Sequence, residues 1–123
     1  MKTETTIFTL EGKRHEITLT DESRKLFFAY FKDADNWSGQ PLVGGNVGRN
    51  PADKGNLTDL KRKGLVTTYA EEPGDQPFGA PPCSWLSFTK LGYAFALACD
   101  PTLDLCEHSY ISDDDRAALG LDN

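Results

Sequence analysis

Asn50-Pro51-Ala52-Asp53-Lys54-Gly55-Asn56-Leu57-Thr58-Asp59-Leu60-Lys61-Arg62-Lys63-Gly64-Leu65-Val66 and, beyond a proline-rich gap, Trp85-Leu86-Ser87-Phe88-Thr89-Lys90-Leu91-Gly92-Tyr93-Ala94 are the stretches whose reading decides the fold. Asn is a favoured helix cap and Pro is pre-organised for the first helical position, so Asn50-Pro51 predicts a helix start. That helix runs to Lys63 and stops at Gly64, which tolerates the positive φ of a C-terminal cap. Leu65 to Tyr69 then predicts a strand. Glu71 to Pro82 holds Pro73, Pro77, Pro81 and Pro82 and reads as a long loop, because proline breaks helices and cannot donate to a sheet. Ser84 to Phe88 alternates as a second strand, and Thr89 opens a helix through Leu97.

Upstream, Thr5 to Leu10 and His15 to Leu19 alternate around Glu11-Gly12-Lys13-Arg14, the pattern of a β-hairpin. Thr20 and Asp21 suit a helix cap, and Leu26, Phe27, Tyr30 and Phe31 recur at helical spacing, so residues 21–34 form an amphipathic helix with an aromatic core face. Asp35 to Gly48 is punctuated by Gly39, Pro41, Gly44 and Gly45 and leaves room for one helical turn at most. Past Cys99 the Asp100-Pro101 step ends the last long helix, and Ser112 to Leu119 forms one short capped helix in an acidic tail. The chain thus divides into a domain over 1–99 and a tail over 100–123.

The net charge is −6 over 123 residues. Residues 1–99 carry 12 Lys and Arg against 12 Asp and Glu, whereas residues 100–123 carry seven acids against Arg116 alone. The acidity therefore lies in the tail. Between Gly44 and Thr68 the sign reverses: Arg49, Lys54, Lys61, Arg62 and Lys63 outweigh Asp53 and Asp59, where a nucleic-acid-facing helix would lie. With Leu57 and Leu60 turned to the core, the outward side of that helix carries Gly55, Thr58, Asp59 and Arg62, flanked by Lys54, Lys61 and Lys63. Lysines at the flanks suit phosphate contacts, and Arg62 and Thr58 could reach base edges.

Leu57-x-x-Leu60-x-x-Lys63-Gly64-Leu65-Val66 followed by Trp85-Leu86-Ser87-Phe88-Thr89-x-x-Gly92 resembles the winged-helix core of MarR-like and PadR-like bacterial regulators. The resemblance implies an α+β winged helix-turn-helix in which these residues form the end of the recognition helix, the two wing strands and the start of the next helix. It also implies a small double-stranded-DNA-binding regulator with Arg49, Lys54, Thr58, Lys61, Arg62 and Lys63 at the interface. Two features depart from the family pattern. A Gly-rich stretch stands where the first helix of the motif belongs, and the wing carries Glu71, Glu72 and Asp75 in place of a basic tip. The rival reading is a degenerate winged helix, of a kind carried by phages or plasmids, that binds a basic protein surface through its acidic wing and tail. A homodimer is expected from the aromatic face Phe27, Phe28, Tyr30 and Phe31, which exceeds what one helix normally needs, and from the symmetric half-sites such domains read.

Other chemistry finds little support. Gly44-Gly45-Asn46-Val47-Gly48-Arg49 lacks the Gly-Lys-Ser/Thr ending of a phosphate-binding loop and reads as a turn. Cys99, Cys106 and His108 lie close in sequence without the four ligands and paired cysteines of a closed zinc site. Cys83 has only His15 and His108 as bases in the whole chain, so nucleophilic catalysis is not expected. None of the 19 carboxylates sits in an apolar run. The expectation is a non-enzyme with no metal or cofactor. An odd cysteine count and the lack of any long apolar run point to reduced thiols, no membrane span and a cytoplasmic setting.

Overall fold

The alternation in the first twenty residues becomes β1, Thr3–Leu10, paired antiparallel with β2, Lys13–Thr20. Leu10 lies opposite Lys13, so Glu11 and Gly12 alone make the turn, both at positive φ (51° and 79°). A two-residue type I′ turn requires this of both central residues. Lys13 and Arg14, expected in the connection, belong to β2. The computed structural model describes residues 2–37, 40–45, 47–74, 76, 82–103 and 111–120.

Thr20 ends the hairpin and caps α1, Asp21–Trp37, its Oγ1 accepting the Ser23 N–H at 3.1 Å. Phe27, Tyr30 and Phe31 are buried, and the Phe27 ring stands edge-on to Phe88 and Phe95 at 5.4 and 5.2 Å between centroids. Phe28 is half-buried against Phe95, with the Arg24 guanidinium 5.5 Å from its ring centroid. Three of the four aromatics on which the dimer expectation rests, Phe27, Tyr30 and Phe31, are therefore spent inside the fold.

The chain continues into α2, Asp53–Arg62, then β3, Val66–Ala70, and β4, Ser84–Phe88, paired antiparallel from Val66 opposite Phe88 to Ala70 opposite Ser84. β4 also has a neighbour on its other side. Leu86 N–H donates to Pro41 O at 3.0 Å and Val43 N–H to Ser84 O at 2.9 Å, so Pro41 to Val43 add a short third rung. Among the described residues of 40–50 no helix forms, as the glycine and proline pattern predicts. Here the backbone folds against the Tyr30 hydroxyl, which accepts the Gly44 N–H at 3.4 Å and would clash with any Cβ at Gly48. The glycines thus let a loop close over a buried tyrosine.

Thr89 joins the ribbon to α3, Lys90–Cys99. Its Oγ1 accepts the Gly92 N–H at 2.9 Å and lies 2.6 Å from Gly64 O and 3.1 Å from Leu65 O, while its own N–H donates to Leu65 O. The helix crosses the strand entrance so closely that a Cβ on Gly92 would overlap the Leu65 carbonyl. The short helix α4, Asp113–Ala118, is capped by Ser112, whose Oγ accepts the Asp115 N–H at 3.2 Å. The acidic segment is not loose throughout: Ile111 is only 4% exposed within the core cluster, Arg116 is buried, and Leu103 and Leu119 pack against that cluster. The chain is thus α+β, with four helices and two antiparallel hairpins among the described residues.

Candidate nucleic-acid interface

α2 is fixed from three sides. Leu60 is fully buried and Leu57 packs against the same cluster, so the apolar side points inward as the spacing predicts. Ser23 of α1 donates through Oγ to Asn56 Oδ1 at 3.4 Å, and Asn56 Nδ2 donates to Asp53 Oδ1 at 3.2 Å, tying the helix to α1 by polar contacts as well. At the far end Gly64 N–H donates to Lys61 O and Leu65 N–H to Leu60 O, with Gly64 at φ 79°. This pair of bonds is the Schellman ending that a glycine after Lys63 favours.

The start differs from expectation. Asn50 Oδ1 accepts the Ala52 N–H at 3.1 Å, and Asn50 O accepts the Asp53 N–H at 2.9 Å, so Asn50-Pro51 builds a turn ahead of the helix. Ala52 then occupies the cap position with no side-chain bond, and the helix begins at Asp53. The reason is local: an asparagine side chain that bonds two residues on forms its own turn instead of capping.

Of the six expected contact residues, the fold gathers four. Lys54, Thr58, Lys61 and Arg62 are all exposed, and their i, i+4, i+7, i+8 spacing puts them on one side of the helix. Arg49 is exposed too, but on the segment that leads into the preceding turn. Lys63 is diverted. Its Nζ donates to the Thr18 carbonyl of β2 and sits 3.1 Å from Asp59 Oδ1, so it joins α2 to the N-terminal hairpin. This contact has two consequences: Lys63 leaves the outward face, and Asp59 is neutralised instead of repelling an anion. The exposed stripe is left with three cations and no acid. Thr58 Oγ1 donates to Lys54 O at 2.9 Å, which leaves its lone pairs to accept from a ligand.

The ribbon beside α2 carries a second face that sequence reading passed over. Thr67 and Tyr69 of β3 and Trp85 and Ser87 of β4 alternate with the buried Val66, Leu86 and Phe88, and Tyr69 is 48% exposed. Gln40 links the two strands there, donating through Nε2 to Ser87 Oγ and accepting from the Tyr69 hydroxyl. The signal was the period-two pattern at Thr67 and Tyr69, but nothing local announces Gln40.

At the start of the β3–β4 connection Glu71 faces back toward the ribbon. Its carboxylate accepts the Cys83 N–H at 2.8 Å, and its own N–H donates to Cys83 O. The Cys83 backbone bond, aided by Trp85 and Gln76, holds its carboxyl below the ordinary glutamate range. Glu71 therefore clamps the loop and is not a free acidic contact. Glu72 is exposed, whereas Asp75 lies outside the described residues. In the tail Asp113 and Asp114 are exposed, and Glu11, by a direct bond, and then Asp115 and Asp114 through their charge raise the Lys90 pKa.

The thiol of Cys99 takes an Arg24 N–H at 3.2 Å and lies 3.6 Å from Thr6 Oγ1, while Cys106 and His108 are outside the described residues. Among the described residues no three His, Cys, Asp or Glu side chains gather as a metal would need, and no helix is long and apolar enough to cross a membrane. No family model, curated protein or solved structure matches the chain.

Proposed function

We propose that this protein is a small winged-helix DNA-binding regulator that grips the phosphate backbone of duplex DNA through α2. The order of its elements supports the reading: α1, a short segment paired to β4, the turn-forming residues around Gly44 to Asn50, α2, and the β3–β4 ribbon. In this reading the glycine loop replaces the first helix of the helix-turn-helix pair. The observation that carries it is the exposed stripe Lys54, Thr58, Lys61 and Arg62, kept free of acid by the pairing of Asp59 with Lys63. Cations at the end of a helix also complement its dipole, a role that needs no ligand, so the reading stands on binding measurements.

Affinity for duplex DNA should fall steeply from low to moderate salt, since each neutralised phosphate releases about 0.9 counterion. Replacing Lys54, Lys61 and Arg62 together by alanine should flatten the slope of log K against log salt by roughly 2 to 3. Lys63→Ala, which unpairs Asp59 beside the stripe, should weaken binding but flatten the slope far less than the triple variant. Failure to bind any duplex at low salt would discard the reading. The second reading, a module that occupies a basic protein surface, is favoured by the exposed carboxylates of Glu72, Asp113 and Asp114 and by the −6 carried by residues 100–123. Deleting the tail is a poor test of it, because Ile111 belongs to the core. Asp113→Asn with Asp114→Asn changes only exposed side chains and should abolish partner capture if this second reading holds.

A further inference from the structure

We propose that the outer edge of β1 is a self-pairing surface, through which two copies of this chain join their N-terminal hairpins into one four-stranded antiparallel sheet. The argument starts at the turn. A two-residue loop makes Leu10 and Lys13 the closing hydrogen-bonded pair, and antiparallel pairing then alternates. Leu10, Phe8, Thr6 and Glu4 therefore bond to β2, whereas Thr9, Ile7, Thr5 and Thr3 aim their N–H and C=O groups away from it. Two contacts agree with this phase. Lys2 O, at an even position, accepts the Asp21 N–H, and the Thr18 carbonyl, opposite Thr5, points out of the hairpin to reach Lys63.

Among the described residues no other element bonds to the backbone of Thr3, Thr5, Ile7 or Thr9. The two edges of the hairpin are protected unequally. On β2 the Thr18 carbonyl is taken by Lys63, Thr20 is occupied capping α1, and Arg14 and Glu16 add charge. Apart from Glu4, which is held by Arg24, β1 lacks the usual guards of an open edge: no Lys, Arg or Pro from Thr3 to Leu10, and an unbroken register without a bulge. All four of its open residues are exposed β-branched residues, and Ile7 is 53% exposed.

A second copy fits this edge for a reason of symmetry. An antiparallel two-fold centred on Thr6 sets Thr3 opposite Thr9 and Thr5 opposite Ile7 of the other strand, so every open group on each strand meets an open group on its mate. The same register places the two Ile7 side chains diagonally adjacent on the outer face. Glu4, the strand's one charge, then faces Phe8 and not a second Glu4, and keeps its 3.6 Å ion pair with Arg24. The contact is isologous and closes at two copies. It does not depend on nucleic-acid binding and is tested without DNA.

Sedimentation equilibrium of the full chain from micromolar to millimolar concentration should show a monomer–dimer equilibrium, with the amides of Thr3, Thr5, Ile7 and Thr9 gaining exchange protection as the dimer fills. Thr5→Pro removes an outward N–H while sparing the β1–β2 ladder, and Ile7→Lys adds charge at the centre of the edge. Each should weaken the dimer roughly tenfold or more while the circular dichroism spectrum stays that of the wild type. If Thr5→Pro unfolds, Ile7→Lys decides. A wild type that stays monomeric throughout overturns the proposal, even if an added extended peptide of another sequence pairs with the edge. So does a dimer that folded Ile7→Lys leaves intact or whose four amides gain no protection.

Discussion

The two hairpins of this protein are closed in opposite ways. β1 and β2 are joined by Glu11 and Gly12 alone, so their register is written in two adjacent residues at positive φ. β3 and β4 are separated by thirteen residues, and their register is set from outside the connection: by Glu71 on Cys83 at the open end, by Pro41 to Val43 along the free edge of β4, and by Thr89 on Leu65 at the closed end. The first hairpin needs only local turn chemistry. The second holds only if three distant parts of the chain arrive together, and it is the one that flanks the cationic helix.

The largest effect should come at the closed end of the second hairpin. Gly92→Ala should destabilise the protein by about 3 kcal/mol, lowering the melting midpoint by roughly 10 °C, because its Cβ meets a backbone carbonyl that cannot rotate away. A melting curve like that of the wild type would mean that α3 and β3 sit further apart than described. Gly48→Ala combines a positive φ of 81° with overlap on the Tyr30 hydroxyl and should cost about 2 kcal/mol. Urea unfolding of this substitution in a Tyr30→Phe background would sharpen the contrast, since losing the hydroxyl removes the worst overlap and leaves only a tight 3.1 Å approach to the ring carbon Cζ.

Gly12→Ala isolates the local term. No atom lies within 4 Å of the added methyl, so only the backbone penalty at φ 79° remains, about 1 kcal/mol. A loss as large as that of Gly92→Ala would refute the view that the first hairpin is closed locally. The smallest effect belongs to Glu71. Its folded pKa lies below its ordinary value of 4.5, so the charged form favours the fold. That contribution is present above the ordinary value and is lost as pH falls through the folded one. The difference in melting temperature between the wild type and Glu71→Gln should therefore be small near neutrality and vanish in acid, whereas a difference that grows in acid would reverse the assigned sign.

The same division separates what could be read in advance from what could not. Gly64 as the stop of α2, Thr89 as the cap of α3 and Ser112 as the cap of α4 are choices made within a few residues, and each lies where the pattern places it. Asn50 shows the limit of such reading: capping and turn formation use the same side-chain oxygen, and sequence does not say which N–H it will take. Lys63 shows it more sharply. On a helical wheel it is a flank cation, but a carbonyl of β2, forty-five residues earlier, draws it inward.

From residue order alone come the order of the elements, the inward sides of α1 and α2 and the reversal of charge between residues 44–68 and the tail, because propensity, periodicity and charge are properties of near neighbours. Only the tertiary structure decided that Phe27, Tyr30 and Phe31 are consumed internally, that Asp59 is neutralised and Lys63 withdrawn, and that one edge of the first hairpin is guarded while the other is open. Those outcomes depend on which distant groups meet, and a side chain's partner across space is not encoded in the few residues on either side of it.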